Sequence, residues 1–117
     1  MSKILIIDDS RTSRKILRGI LEEAGYEVVD EAVDGQDGFE KYKQYKPDIV
    51  TLDITMPVMD GLEALKCIRE FDKAAKVIMV TAAGQQNKMV EAIKLGASEF
   101  VTKPFEKDNI LKLIDKM

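Results

Sequence analysis

Histidine and tryptophan are missing from this chain, cysteine occurs once, and proline only three times in 117 residues. Without histidine there can be no Ser-His-Asp or Cys-His nucleophilic centre and no imidazole-bound metal, so any chemistry must be carried by Asp, Glu, Ser, Thr and Lys. A phosphohistidine, if one takes part, has to belong to a partner. The lone Cys67 cannot close an intrachain disulfide; it lies in LEALKCIRE, on a helical pattern with Leu65 and Ile68, and is expected to be a buried core thiol. No signal peptide is present, and no apolar run approaches the roughly 20 residues that cross a bilayer. A soluble cytoplasmic protein is therefore expected. Neither charge dominates: 18 basic against 21 acidic residues leave a net charge of -3. That balance supplies no broad attraction to nucleic acid or anionic membrane, which argues against direct DNA binding or membrane insertion.

What is present reads as one globular domain over residues 1–117, with 45% hydrophobic and 33% charged residues. A chain of this length buries roughly two-thirds of the surface its unfolded form exposes. KILII (Lys3 to Ile7) is a nearly continuous apolar run, the mark of a parallel strand covered on both faces. From Ser10 to Glu23 the apolar Ile16, Leu17, Ile20 and Leu21 recur at helical spacing, with Arg11, Arg14, Lys15 and Arg18 opposite, as on a solvated helix face. Ser10 is the expected cap and Gly25 the stop. Glu27 to Val33 is a mixed strand suited to an edge, and Asp34-Gly35 opens a helix through Phe39 and Tyr42 that ends at Lys46-Pro47. Ile49, Val50 and Leu52 form the central strand, and Asp60 caps a helix through Leu62, Leu65 and Ile68. A fourth strand is expected over Lys76 to Val80 and a helix over Gln85 to Leu95, with Met89, Val90 and Ile93 as its apolar face and Gly96 at its end. Ala97 to Val101 is the fifth strand, and a last helix carries Ile110, Leu111 and Ile114. Five strands alternating with five helices in units of about 20 to 25 residues predict an α/β fold, a doubly wound (βα)5 parallel sheet.

The polar residues that matter gather where strands end. Asp8-Asp9 follow the first strand, Asp53 the third, Thr81 the fourth and Lys103 the fifth. Alone, Asp53 reads as a turn or helix cap. In a doubly wound sheet, however, all these ends share one edge, and if strands one and three are neighbours the acid pair and Asp53 meet at the topological switch point. Two unit charges about 4 Å apart repel by roughly 4 kcal/mol at an effective dielectric near 20. Either pKa values rise or a cation binds, and Lys103 brings only one positive charge. Oxygen ligands without His or Cys point to Mg²⁺. A hydroxyl (Thr81) and an ammonium (Lys103) are superfluous for a purely structural metal site but suit a phosphoryl group. Asp53 is the best candidate for a carboxylate nucleophile toward phosphorus, with Asp8 and Asp9 as the metal pocket.

Taken together, DD after strand one, DITMPVMDG around Asp53, Thr81-Ala82 and Lys103-Pro104-Phe105 resemble the receiver domain of two-component response regulators, over the whole chain. The strand order 2-1-3-4-5 of that flavodoxin-like family comes from the resemblance. It implies that Asp53 accepts a phosphoryl group, that Asp9 ligates Mg²⁺ directly and Asp8 through water or by orienting ligands, and that the Thr55 carbonyl completes the set. It further implies that Lys103 contacts the phosphoryl group, that Thr81 swings toward it, and that Phe100 follows as an aromatic rotamer switch. Ordinary strand packing is the alternative reading of Phe100. A cis bond between Lys103 and Pro104 belongs to the same pattern, and Thr55 and Ala83 lie where the family varies its dephosphorylation rate. GQQNKMVEAIKLGA with the DITMP loop is most similar to single-domain CheY-type chemotaxis regulators. That likeness implies no output domain, a sensor histidine kinase as donor, the flagellar motor switch as downstream target, a docking face on the fourth helix, fifth strand and fifth helix, and a monomer. The expectation is thus a phosphoacceptor that promotes its own phosphorylation and dephosphorylation, not an enzyme.

A stand-alone phosphorelay receiver would share the same residues, and a receiver acting unphosphorylated as a scaffold would not need Asp53. A haloacid-dehalogenase-like phosphatase wants a second Asp two residues after the first, where this chain has Thr55. A flavodoxin-like cofactor binder needs donors for the flavin phosphate where this chain is acidic.

Overall fold

The computed structural model describes residues 2–82 and 84–117. They alternate strand and helix throughout: β1 (Lys3–Ile7), α1 (Arg11–Glu23), β2 (Glu27–Ala32), α2 (Gly35–Tyr45), β3 (Ile49–Asp53), α3 (Gly61–Phe71), β4 (Val77–Thr81), α4 (Gln86–Lys94), β5 (Glu99–Thr102) and α5 (Lys107–Asp115). All strand pairs are parallel, in the order β2-β1-β3-β4-β5. The expected doubly wound sheet is the one observed, with β2 at an edge. Among the described residues no helix is long and apolar enough to cross a membrane.

The central strands read as continuous apolar runs because both of their faces are covered. Leu5, Ile7, Val50, Leu52, Val77 and Met79 pack on one side against Tyr42 of α2, Ala64, Leu65 and Ile68 of α3 and Ala92 of α4. Ile4, Ile6, Ile49 and Ile78 pack on the other against Leu17 and Leu21 of α1 and Ile110 and Ile114 of α5. Alternation along each strand sends successive side chains to opposite layers. The mixed polarity of β2 has a local cause: the register shifts between Ile4 and Leu5, which pair with Val28 and Asp30 and leave Val29 as an extra residue.

Helix starts follow local chemistry. Ser10, Asp34 and Asp60 each accept a hydrogen bond from a backbone N–H three residues on, at 3.2, 2.8 and 2.9 Å, which satisfies donors that the first helical turn leaves unpaired. Lys46, before Pro47, ends α2 in the left-handed region at φ 46. Gly25 and Gly96 follow α1 and α4 at φ 93 and 99, values only glycine adopts without strain.

Several side-chain expectations are corrected. Met89, Val90 and Ile93 do not face the core: Val90 and Ile93 are each 55% exposed, Met89 is half-buried, and among the described side chains of α4 it is Ala92 that is fully buried. A small residue faces the sheet there, so the helix sits with its larger apolar side chains outward. Ile16 is likewise half exposed, leaving Leu17 and Leu21 to anchor α1, and Cys67 is only half-buried. β3 and β4 each run one residue further than expected, so Asp53 and Thr81 are the last residues of their strands. β5 starts two residues late because Ala97 still donates to Ala92 O at 3.0 Å in closing α4.

Thr51, buried in mid-β3, has a hydroxyl with no hydrogen-bond partner among the described residues. Replacing it by the isosteric valine removes that uncompensated group, so Thr51→Val is expected to raise stability by about 1 kcal/mol in urea unfolding. In the same assay Leu65→Ala should cost about 2–5 kcal/mol, whereas Val90→Ser should stay within about 0.5 kcal/mol. A large loss at Val90 would contradict the outward orientation of α4.

Candidate functional site

The chain leaves β1 toward α1 on one face of the sheet and β3 toward α3 on the other. Because β1 and β3 are neighbours, a crevice opens between these two exits. Asp8 continues β1 into it, its N–H donating to Ala32 O at 3.0 Å, and Asp53 closes β3 beside it. Both are buried, at 3% and 7% exposure. Asp9 is exposed at the rim, and one carboxylate oxygen from each of Asp8, Asp9 and Asp53 lies within 4.8 Å of the others.

The two buried carboxylates are held in the same way. One oxygen of each accepts a backbone N–H: Asp8 Oδ1 from Ser10 at 2.8 Å, Asp53 Oδ1 from Ile54 at 3.0 Å. The other oxygen of each faces Lys103, whose Nζ lies 3.0 Å from Asp8 Oδ2 and 3.4 Å from Asp53 Oδ2. Lys103 comes from the end of β5, two strands away from β3, and its N–H donates to Thr81 O at 2.8 Å. Its bond to Pro104 is cis, the geometry the resemblance implied. Arg14 of α1 donates to the carbonyl of Asp8 at 2.7 Å, steadying the backbone under the acid pair.

Three carboxylates against one ammonium leave the cluster negative. Burial first, and then the charge of Asp8, push the Asp53 carboxyl up to about 6, against the opposing pull of Lys103. Burial works against the Lys103 charge, but its hydrogen bond to Asp8 and the attraction of Asp53 and Asp8 outweigh that and raise its pKa. A close set of hard oxygen donors with uncompensated negative charge fits a small divalent cation such as Mg²⁺.

The remaining candidates lie around this cluster. Thr81 ends β4, next to β3, and is only 1% exposed, with its hydroxyl 3.4 Å from that of Thr102. Thr55 is exposed in the loop after β3, and its hydroxyl accepts from Gln85 Nε2 at 2.7 Å. Phe100 stays outside the acid cluster, half-buried against the core. With Met89, Lys103, Asn109 and Leu113 it lines a groove of about 870 Å³ between α4, β5 and α5. Ala83 lies outside the described residues.

Sequence reasoning assigned no role to Gly61 or Val58, yet both shape the loop that carries Thr55. A Cβ on Gly61 would meet the carbonyl oxygen of Asp53 at 2.0 Å, so α3 can begin against the phosphoacceptor candidate's backbone only with glycine there. The Asp60-Gly61 pair was the available signal. Val58 takes φ 68, and Met59 N–H donates to Pro57 O at 2.7 Å, a strained three-residue turn for a β-branched side chain. Nothing in the residue type announces it.

The family model for the response regulator receiver domain matches residues 4–115. The chemotaxis protein CheY of Listeria monocytogenes is 51% identical over 116 residues, 99% of this chain and 98% of that one. CheY of Thermotoga maritima is 47% identical over 115 residues, 98% of this chain and 96% of that one. Among solved structures, a chain of the CheX-CheY-BeF3-Mg+2 complex from Borrelia burgdorferi aligns with a TM-score of 0.94 at 40% identity, covering 98% of this chain and 87% of that one.

The raised Asp53 pKa means that the folded protein holds this proton more tightly than the unfolded chain does. Its stabilising contribution is present below the ordinary carboxylate range and is lost as pH rises through about 6. In metal-free solution at about pH 7.5, Asp53→Asn should therefore be more stable than wild type by about 1–3 kcal/mol, a gain that shrinks toward about pH 4. Added Mg²⁺ should raise the wild-type melting temperature and leave the variant less affected. A variant less stable than metal-free wild type at neutral pH would contradict this account.

Proposed function

The chain belongs to the response regulator receiver domain family, and from that membership we propose that it is a phosphorylation-activated signalling switch with Asp53 as phosphoacceptor. The observation that carries this reading is the shared ammonium: Lys103 bridges Asp8 and Asp53 at 3.0 and 3.4 Å inside a cluster of three carboxylates. A structural cation site does not need a lysine, whereas a phosphoryl group arriving on Asp53 does.

An oxygen of Asp53 attacks the phosphorus of a sensor kinase's phosphohistidine in line. The new P–O bond forms as the P–N bond breaks, and the imidazole leaves with the electron pair. With acetyl phosphate the departing group is acetate. A carboxyl pushed up to about 6 is mainly ionised at neutral pH and is a better base than an ordinary aspartate. Ile54 N–H holds Oδ1 and orients the carboxylate plane. Asp8, Asp9, Asp53 and the Thr55 carbonyl would hold Mg²⁺, which supplies positive charge against the carboxylates and the phosphoryl oxygens. Lys103 is already at Asp53 Oδ2 and passes to a phosphoryl oxygen. Thr81, whose hydroxyl among the described residues has a long contact with Thr102, turns to donate to another.

Lys103 and Phe100 also line the groove between α4, β5 and α5, so a shift at the phosphorylated end reaches a surface suited to a partner. Phe100 is the switch side chain there. A coupling of roughly 1–3 kcal/mol changes partner affinity about 5- to 150-fold. Relatives named as chemotaxis proteins support a chemotaxis role. In this reading residues 1–117 act as one monomeric receiver domain in the cytoplasm, with the flagellar motor switch as target. Hydrolysis of the acyl phosphate resets it.

Incubation with Mg²⁺ and acetyl phosphate should add one phosphoryl group by mass spectrometry. No adduct on wild type, or an undiminished one on Asp53→Asn, removes this reading. Thr81→Ala should still accept the group but lose most of the roughly 5- to 150-fold gain in partner affinity, measured by titration with the isolated target. A full gain would take Thr81 out of the switch.

A further inference from the structure

Gln85 stands at the cap position of α4 and makes no side-chain capping bond there, unlike Ser10, Asp34 and Asp60 at their helices. Both ends of its amide are engaged elsewhere. Its Oε1 accepts from Ala82 N–H at 2.7 Å, and its Nε2 donates to Thr55 Oγ1 at 2.7 Å. The Ala82 donor fixes which end of the amide is the oxygen, since only the carbonyl can accept. Ala82 is the residue after Thr81, and Thr55 is two residues after Asp53. One side chain therefore straps the loop leaving β4 to the loop leaving β3, across the rim of the site.

We propose that Gln85 is a positioning residue: a latch that holds the Thr81-Ala82 segment in its resting arrangement and opens when Thr81 turns toward the phosphoryl group. The inference rests on Asp53 as phosphoacceptor. Thr81 and Ala82 share a planar peptide unit, so turning one reorients the other and strains the bond to Gln85. Among the described residues the cap position of α4 is tied to the first turn by backbone bonds, from Lys88 and Met89 N–H to Gln85 O at 3.0 and 3.3 Å, and not by the Gln85 side chain. Both bonds of the latch are open to solvent, and one or two such bonds bias an equilibrium on the order of threefold to tenfold. A latch of that strength tunes the resting population without locking it, and uptake that needs the open arrangement is slowed by the same factor.

Two measurements on the full chain test this. In unphosphorylated protein, the Ala82 amide should exchange with solvent about three- to tenfold faster in Gln85→Ala than in wild type, with Leu52 in mid-β3 unchanged. With Mg²⁺ and acetyl phosphate, Gln85→Ala should be modified about three- to tenfold faster at an unchanged melting temperature. Thr55→Val, which removes one limb of the strap, should also accelerate modification, and combining it with Gln85→Ala should add nothing further. A wild type that takes up phosphate while Gln85→Ala is no faster overturns the latch and leaves Asp53 in place. Wild type that takes up none overturns both.

Discussion

Two buried carboxylates at neighbouring strand ends share a single ammonium, and the negative charge left over sets the terms for everything around it. Asp8 and Asp53 cannot move apart, because each continues a strand whose other residues are locked between two apolar layers. Like charges about 4 Å apart cost roughly 4 kcal/mol at an effective dielectric near 20. The packed interior supplies that energy and holds it at one edge of the sheet. Backbone N–H groups from Ser10 and Ile54 and the Lys103 ammonium offset part of it. The remainder appears as the raised pKa of Asp53 and leaves a set of oxygen donors that fits a small added cation.

Such a site can signal only if part of its surroundings is held loosely. Stability is unevenly distributed here in the required way. α3 buries Ala64, Leu65 and Ile68 against the sheet, whereas α4, among its described side chains, fully buries only Ala92 and leaves Val90 and Ile93 largely in solvent. α1, α2 and α3 begin on side-chain caps, and α4 begins on Gln85, whose amide is turned toward the rim. Among the described residues α4 and α5 both begin without a side-chain cap, and of the two α4 is the one that follows Thr81. The groove between α4, β5 and α5 touches both this element and Lys103, which gives a change at the acid cluster a short physical route to the surface.

How much of this was legible differs by residue for physical reasons. Asp8, Asp9, Asp53 and Lys103 were readable because predominantly apolar runs mark strands, and parallel strands put all their exits on one edge. The caps at Ser10, Asp34 and Asp60 were readable because their chemistry is local. The orientation of α4 was not: Val90 and Ile93 obey helical spacing as well as Ala92 does, and an apolar stripe does not say whether the sheet or a partner covers it. The bulge at Val29, the left-handed Val58 and the Gln85 strap depend on which loop lies beside which, and spacing along the chain carries no trace of that.

From residue order alone came the alternation of strands and helices, the gathering of acids, hydroxyl and ammonium at one edge, and the exclusion of histidine chemistry, since each follows from local pattern and residue type. The tertiary structure decided which charges touch, how far burial shifts them, and which side of α4 the sheet covers. Those quantities are set by distances between segments far apart in sequence, as with the 50 residues separating Lys103 from Asp53, and they come into being only when the sheet closes.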